Sequence, residues 1–283
     1  MDEKIIERSK TIRDTAGREV RILEDVSAFE LANRFGCSIR SVYEKALNAG
    51  ICPYRYVRNR ESISMEEQLR LLKSQVAVIG SGGLGGPILL LLARMGIGRL
   101  VAVDPDCFDE TNLNRQALSS VPDLGRPKSE VVARVLKDVN PATDVNAYQD
   151  RLDRKNAEGI LAGSNVVVDA LDNVPDRFSL QRAARSLNIP LVHGAVAGFE
   201  GQMMTIFPED TGFSLLYGTE EVETNREKSP EALLGVPAVT PTFVATLEAM
   251  EVVKILLNRG KPFRNMMVHV DMEAGEMNRF SFE

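Results

Sequence analysis

No apolar run in the 283 residues is long enough to cross a bilayer, and the opening stretch, MDEKIIERSK, lacks the apolar core of a secretory signal. A cytoplasmic protein with no membrane partner is expected. Cysteine is scarce. Cys37, Cys52 and Cys107 lie far apart and form no C-x-x-C pair, so neither a zinc site nor a disulfide framework is suggested. Excess positive charge is missing too: a net charge of −6 argues against a nucleic-acid footprint. There are no internal repeats and no low-complexity segments. The P-loop pattern G-x-x-x-x-G-K-[ST] is absent, which excludes a Walker-type ATPase.

The composition that remains, 44% hydrophobic and 26% charged, is that of an ordinary globular chain with room for one large α/β domain and a small appendage. Residues 1–60 are charged and read as a helical segment. Ser27 is placed as the N-cap of a first helix, with Glu30 as its capping-box partner. Gly36 breaks that helix, and Ser38 to Ala49 reads as a second, closed by Gly50. Two short helices around a turn resemble a helix-turn-helix, a pattern that any small helical hairpin gives.

From Gln75 the texture alternates. Val76–Ile79, Leu100–Val103 and Asn165–Val168 read as continuous apolar strands, with Val145–Tyr148, Pro190–Val192 and Gly201–Phe207 as further strands. Helices are expected over Pro87–Met95, Ser129–Val139, Phe178–Leu187 and Thr242–Asn258, the last with Leu247, Met250, Val253 and Leu257 along one face. Met266 to Phe282 reads as one or two edge strands. Apolar strands separated by helices predict a Rossmann-like, mostly parallel sheet with helices on both faces over residues 61–283.

Gly80-Ser81-Gly82-Gly83-Leu84-Gly85 fits G-x-G-x-x-G between a strand and a helix. The first glycine permits the tight turn, the second lets a ligand approach, and the third lets the helix pack close. The helix N-terminus offers free N–H groups to phosphate. Asp104 ends the second strand about 20 positions on, where a carboxylate can accept ribose hydroxyls. These residues alone fit an NAD-dependent oxidoreductase. The next ones favour a triphosphate: Asp104-Pro105-Asp106 leads into Asn112-Leu113-Asn114-Arg115-Gln116 and then Gly125-Arg126-Pro127-Lys128. Two cations, Arg115 and Lys128, converging on phosphates would offset charge in an in-line transition state. Asp169-Ala170-Leu171-Asp172-Asn173 closes a later strand, where the Asp172 carboxylate could hold Mg²⁺. Each has a plainer reading, Arg115 and Lys128 as surface charges and Asp172-Asn173 as an Asx turn. Their order and placement at strand ends favour the site.

These motifs, together with Gly198-Phe199-Glu200-Gly201-Gln202, resemble the ThiF/MoeB/HesA adenylyltransferases, relatives of ubiquitin-activating enzymes, over roughly residues 52–258. The resemblance implies adenylation by ATP of the C-terminal glycine carboxylate of a small ubiquitin-like sulfur carrier ending in Gly-Gly. It implies that Asp104 binds the ribose and that the Gly82-Gly83 backbone lies against the nucleotide. Gly80, Gly85, Asp106 and Gln116 complete the cofactor site. Asn112, Arg115 and Lys128 contact phosphates, and Asp172 binds Mg²⁺. It further implies a homodimer, with Arg58 of Arg55-Tyr56-Val57-Arg58 reaching the partner's site. The sequence departs from the pattern where zinc-binding C-x-x-C pairs fall in many members: Thr211 to Tyr217 and the tail contain no cysteine, so no zinc is expected. No cysteine stands between Tyr217 and Gly235 to take up the activated carrier or sulfur, so the reaction is expected to stop at the acyl-adenylate unless another protein supplies the sulfur. The N-terminal segment, longer than in the simplest relatives, is read as bracing the dimer or presenting Arg58.

Other readings stay open at this stage: activation of another carboxylate (a peptide or a modified tRNA nucleoside), an NAD oxidoreductase, or a nucleotide-binding regulator that contacts DNA. Cys107 is read as a small buried filler and His193 as a packed or hydrogen-bonded histidine. Glu220-Glu221-Val222-Glu223 is read as a solvated loop face.

Overall fold

The computed structural model describes residues 1–219 and 229–282. The Glu220–Glu223 run therefore lies outside the described residues.

The centre is an eight-stranded sheet. Its strands are β4 (Gln75–Ile79), β5 (Arg99–Val103), β6 (Asp144–Tyr148), β7 (Val166–Asp169), β8 (Leu191–Ala197), β9 (Glu200–Ile206), β10 (Met266–Asp271) and β11 (Glu276–Ser281). They run in the order β11-β10-β9-β8-β7-β4-β5-β6. Pairing is parallel from β6 through β5, β4 and β7 to β8, and antiparallel from β8 outward to β11.

Alternation along the buried strands divides the core in two. Val76, Val78, Leu100, Ala102, Val166 and Val168 face one layer, with α5 (Gly85–Met95), α6 (Lys128–Val139) and α11 (Val239–Leu257). Ala77, Ile79, Val101, Val103 and Val167 face the other, with α7 (Ala157–Leu161) and α8 (Val174–Ser186). Both faces are thus covered, as an all-parallel sheet centre requires. The chain leaves β4 toward β5 and β6, then returns to the other side of β4 as β7. That reversal opens a crevice at the C-terminal ends of β4 and β7.

The first residues are more than helical. α1 (Asp2–Arg8), α2 (Asp25–Phe35) and α3 (Ile39–Asn48) pack with a three-stranded sheet of β1 (Lys10–Arg13), β2 (Glu19–Leu23) and β3 (Cys52–Pro53). β1 is mostly exposed and β2 half-exposed, both carry charges among their apolar positions, and β3 is only two residues long, which hid them in a charged stretch. Asp14 shapes the β1–β2 turn: its Oδ1 accepts from the Ala16 and Arg18 N–H groups, at 2.8 and 3.0 Å. Ser27 is not a cap, because α2 begins directly after β2 with Glu24 at its N-cap. Ser38 caps α3 through the Ser41 N–H. This unit has its own core around Ile22, Tyr43, Ile51 and Tyr56, continued by Leu72 of α4 (Met65–Lys73).

α11 also differs from expectation. It packs on the sheet over β7, β8 and β9 and beside α5, so a wide face is buried, including Val244, Ala245, Val252 and the carboxylates Glu248 and Glu251, while Met250 is half exposed. Buried acids are invisible to a hydrophobic periodicity. Among the described residues no helix is long and apolar enough to cross a membrane.

Candidate active site

A cleft of about 910 Å³ occupies the crevice at the strand ends. It is lined from β4 by the glycine loop, from β5 by Asp104–Asp106, from β7 by Ala170–Asn173 and from β8 by Gly194–Val196. Gly80, Gly82, Gly83, Asp104, Asp106, Asn112, Arg115, Gln116, Lys128 and Asp172 all line this one space. Gly85 stands behind it, and Arg58 is not part of its lining.

The glycines have separate tasks. Gly80 has φ +96°, and a Cβ there would meet the Ala170 carbonyl oxygen at 2.4 Å. A Cβ at Gly85 would lie 1.8 Å from the Gly80 carbonyl oxygen, so α5 can begin there only without a side chain. Gly82 and Gly83 are different: a Cβ would have 3.6 Å to Gln116 and 3.7 Å to Arg115 and Pro241, filling open cleft rather than colliding. Gly85→Ala is accordingly expected to lower stability by about 1–3 kcal/mol, seen as a lower urea midpoint at unchanged m-value. An unchanged midpoint would mean that the turn does not depend on this close approach.

Asp104 is 4% exposed. Its Oδ2 accepts from the Ser81 N–H at 2.7 Å and its Oδ1 from the Asp106 N–H at 2.9 Å. Burial pushes its carboxyl up, against the pull of Lys128 and the two N–H groups. Lys128, at the start of α6 and 5% exposed, points its ammonium at Asp106 (3.0 Å) and Asp104 (3.7 Å). Arg115 is anchored through Nη1 to the Thr111 carbonyl and the Asn114 amide oxygen, at 2.8 and 3.0 Å. Asn112 closes a capping box with Asp109, which fixes the turn that carries Arg115. Asp172 is exposed at the end of the β7 loop, where its Oδ1 accepts from the Asn173 amide at 3.2 Å.

Two observations fit a nucleotide in this cleft. The Gly82-Gly83 backbone is a cradle that any side chain would fill. Gln116, which lines the cleft, has its buried Oε1 without a hydrogen-bond partner among the described residues, as does Ser81 Oγ in the glycine loop beside it, as expected of groups awaiting one. For a metal, no trio of His, Cys, Asp or Glu is gathered among the described residues. A cation at Asp172 would draw its other ligands from phosphates and water, which suits Mg²⁺.

Some site residues were missed. Arg151, on the cleft rim, makes a bidentate pair with Asp176 at 2.9 and 3.0 Å. It sits just past the end of β6, so the strand-end rule that found Asp172 reaches it too. Cys107 is exposed and lines the cleft, contrary to the buried filler expected; it follows β5 in the turn that bridges to Pro127. His193 is fully buried within β8 and hydrogen-bonded on both ring nitrogens, as its packed reading anticipated. Behind Gly194 lies Glu248, fully buried with neither oxygen hydrogen-bonded among the described residues. Burial pushes its carboxyl well above the usual carboxylate range.

Arg58 belongs to the N-terminal unit. Arg55 is fixed by its ion pair with Asp25 and by donation to the Val139 carbonyl at 2.9 Å. Tyr56 is buried, its oxygen accepting from Asn140 at 2.8 Å. These two anchors leave Arg58 exposed, 3.5 Å from the Thr15 hydroxyl.

The ThiF family model matches residues 56–283, most of the chain and all of the cleft. The chain belongs to the ThiF family. Curated relatives agree with that membership. The SAMP-activating enzyme E1 of Haloferax volcanii is 38% identical over 219 residues, covering 77% of this chain and 80% of that protein. The sulfur carrier protein ThiS adenylyltransferase of Escherichia coli is 36% identical over 223 residues, covering 78% and 82%. Among solved structures, PaaA superposes with a TM-score of 0.68 at 21% identity, over 81% of this chain and 73% of that one, a likeness of fold. The ThiF match begins at Tyr56, within the Arg55–Arg58 segment.

Proposed function

We propose that this ThiF-family protein uses ATP to adenylate the C-terminal glycine carboxylate of a small ubiquitin-like sulfur carrier. The carrying observation is that Asn112, Arg115, Lys128 and Asp172 converge with the Gly82-Gly83 cradle on one cleft. Relatives named as activators of ThiS and SAMP support the choice of substrate. A carboxylate oxygen of the carrier attacks the α-phosphorus, the bond from that phosphorus to the α–β bridging oxygen breaks, and pyrophosphate leaves.

Each residue then has a part. Asp104 takes the ribose from the buried end of the cleft. Lys128, already poised between Asp104 and Asp106, offers a hydrogen to the α-phosphate. Arg115 meets the outer phosphates from its fixed turn. These cations stabilise charge as it develops and hold the reactants in line, the two effects that dominate such transfers. Asp172 holds Mg²⁺, which when bound neutralises phosphate charge. The carrier's Gly-Gly end suits a cleft whose walls at Gly194, Ala195 and Val196 carry small side chains or none. Residues 1–60 form a module that braces a homodimer and presents Arg58 to the neighbouring cleft. A cytoplasmic location belongs to the same reading. Incubation with ATP, Mg²⁺ and a Gly-Gly-ending carrier tests it, by pyrophosphate exchange and by the mass of the carrier.

A further inference from the structure

Beside the cleft, five groups close a ring of hydrogen bonds. The Leu171 N–H donates to Asp169 Oδ1 at 2.9 Å. Asp169 Oδ2 lies 2.8 Å from His193 Nδ1. His193 Nε2 lies 3.0 Å from the Tyr217 hydroxyl. That hydroxyl accepts from Arg177 Nη1 at 2.9 Å, and Arg177 Nη2 donates back to the Leu171 carbonyl at 2.7 Å. The Gln202 amide also donates to Tyr217, at 3.0 Å.

The proton positions follow. Arg177 can only donate, so the Tyr217 oxygen accepts from it and gives its own hydrogen to His193 Nε2. His193 is then neutral with its proton on Nδ1, donated to Asp169. Burial, which pushes this imidazole below its usual value, agrees.

Both main-chain polar groups of Leu171 are held by this ring, and the next residue is Asp172. Tyr217 comes from α9 (Ser214–Tyr217), far along the chain from Arg177, and does not line the cleft. We infer that Tyr217 is a positioning residue for the nucleotide site: its hydroxyl locks Arg177, Arg177 holds the Leu171 carbonyl, and Asp172 is thereby set in place. This rests on the proposed reading of the cleft as the Mg²⁺–ATP site.

The hydroxyl is a single point of failure. Without it, Arg177 Nη1, His193 Nε2 and the Gln202 amide lose a shared partner together. Arg177 reaches the cleft wall but is only 4% exposed, and its Nε, ion-paired with Asp169 Oδ2 at 3.4 Å, makes no hydrogen bond among the described residues, so little water is at hand to replace the loss. The guanidinium must turn to satisfy Nη1, and its grip on Leu171 turns with it. Phenylalanine at 217 keeps the ring against Phe213 and His193, with centroids at 5.9 Å in both cases, and the guanidinium over its face at 5.5 Å. Tyr217→Phe therefore isolates the hydroxyl.

The experiment is calorimetric titration of ATP with Mg²⁺ into the full chain, without carrier, beside thermal melts. Wild type should bind. Tyr217→Phe should melt cooperatively and bind about tenfold more weakly, the scale of one hydrogen bond. Arg177→Lys keeps a cation near Asp169 but cannot span Leu171 and Tyr217, so it should lose a similar amount. The double variant should be no worse than the weaker single. If Tyr217→Phe melts lower yet binds ATP as wild type does, the hydroxyl only supports the fold and the inference is overturned. Should Tyr217→Phe fail to fold, wild-type affinity in Arg177→Lys overturns it equally. Absence of ATP binding by wild type would remove the reading of the cleft, and this inference with it.

Discussion

Lys128→Ala should lower ATP–pyrophosphate exchange by roughly 10²–10³-fold, the range seen when one preorganised charge-stabilising donor is removed. Lys128 is buried and held at the first turn of α6 by two carboxylates, so it reaches the reaction without reorganising. The loss should fall mainly on kcat, because the charge it meets grows in the transition state. Lys128→Arg should not restore the rate: a planar fork does not fit a space shaped around one ammonium between Asp104 and Asp106. Removing the cation also leaves Asp104 buried without its counter-charge, so its carboxyl should rise further. A change in KM for ATP at unchanged kcat would assign Lys128 to ground-state binding alone.

Arg58→Ala should cost about a thousandfold, as loss of an arginine finger does, and the loss should be recoverable in trans. Arg58 lies outside its own chain's cleft, on a segment pinned by Arg55 and Tyr56. Mixing Arg58→Ala with Asp172→Ala, each nearly inactive alone, should restore activity once subunits exchange, because some heterodimers carry one site with both residues. No recovery despite demonstrated exchange would place Arg58 within its own chain's site. Full activity of the Arg58→Ala homodimer would remove it from the mechanism.

The parts of this molecule legible in its sequence are those where burial is one-sided or complete. β4 and β7 are buried throughout and β5 is buried beyond Arg99, so they appear as apolar runs, and the loops at their ends carry the cleft's charges. The glycine loop is legible because each glycine answers a steric demand. β1 and β2 were missed since their exposed positions carry charge and their partner strand is two residues long. The Asp169–His193–Tyr217–Arg177 ring was hidden for another reason. Its members are spread over more than forty positions, and only the return of the chain after β9 brings Tyr217 to Arg177. Cys107 was misjudged because a small residue following a buried strand reads as core until the turn after Asp104 is seen to face the cleft.

The most direct test of the account is ATP–pyrophosphate exchange with and without a carrier protein ending in Gly-Gly, followed by intact mass of the carrier. Exchange should appear only with the carrier, the carrier should gain one adenylate, and removal of its final glycine should abolish both. Exchange that ignores the carrier, or tight NAD binding with no exchange across a panel of carriers, would contradict it.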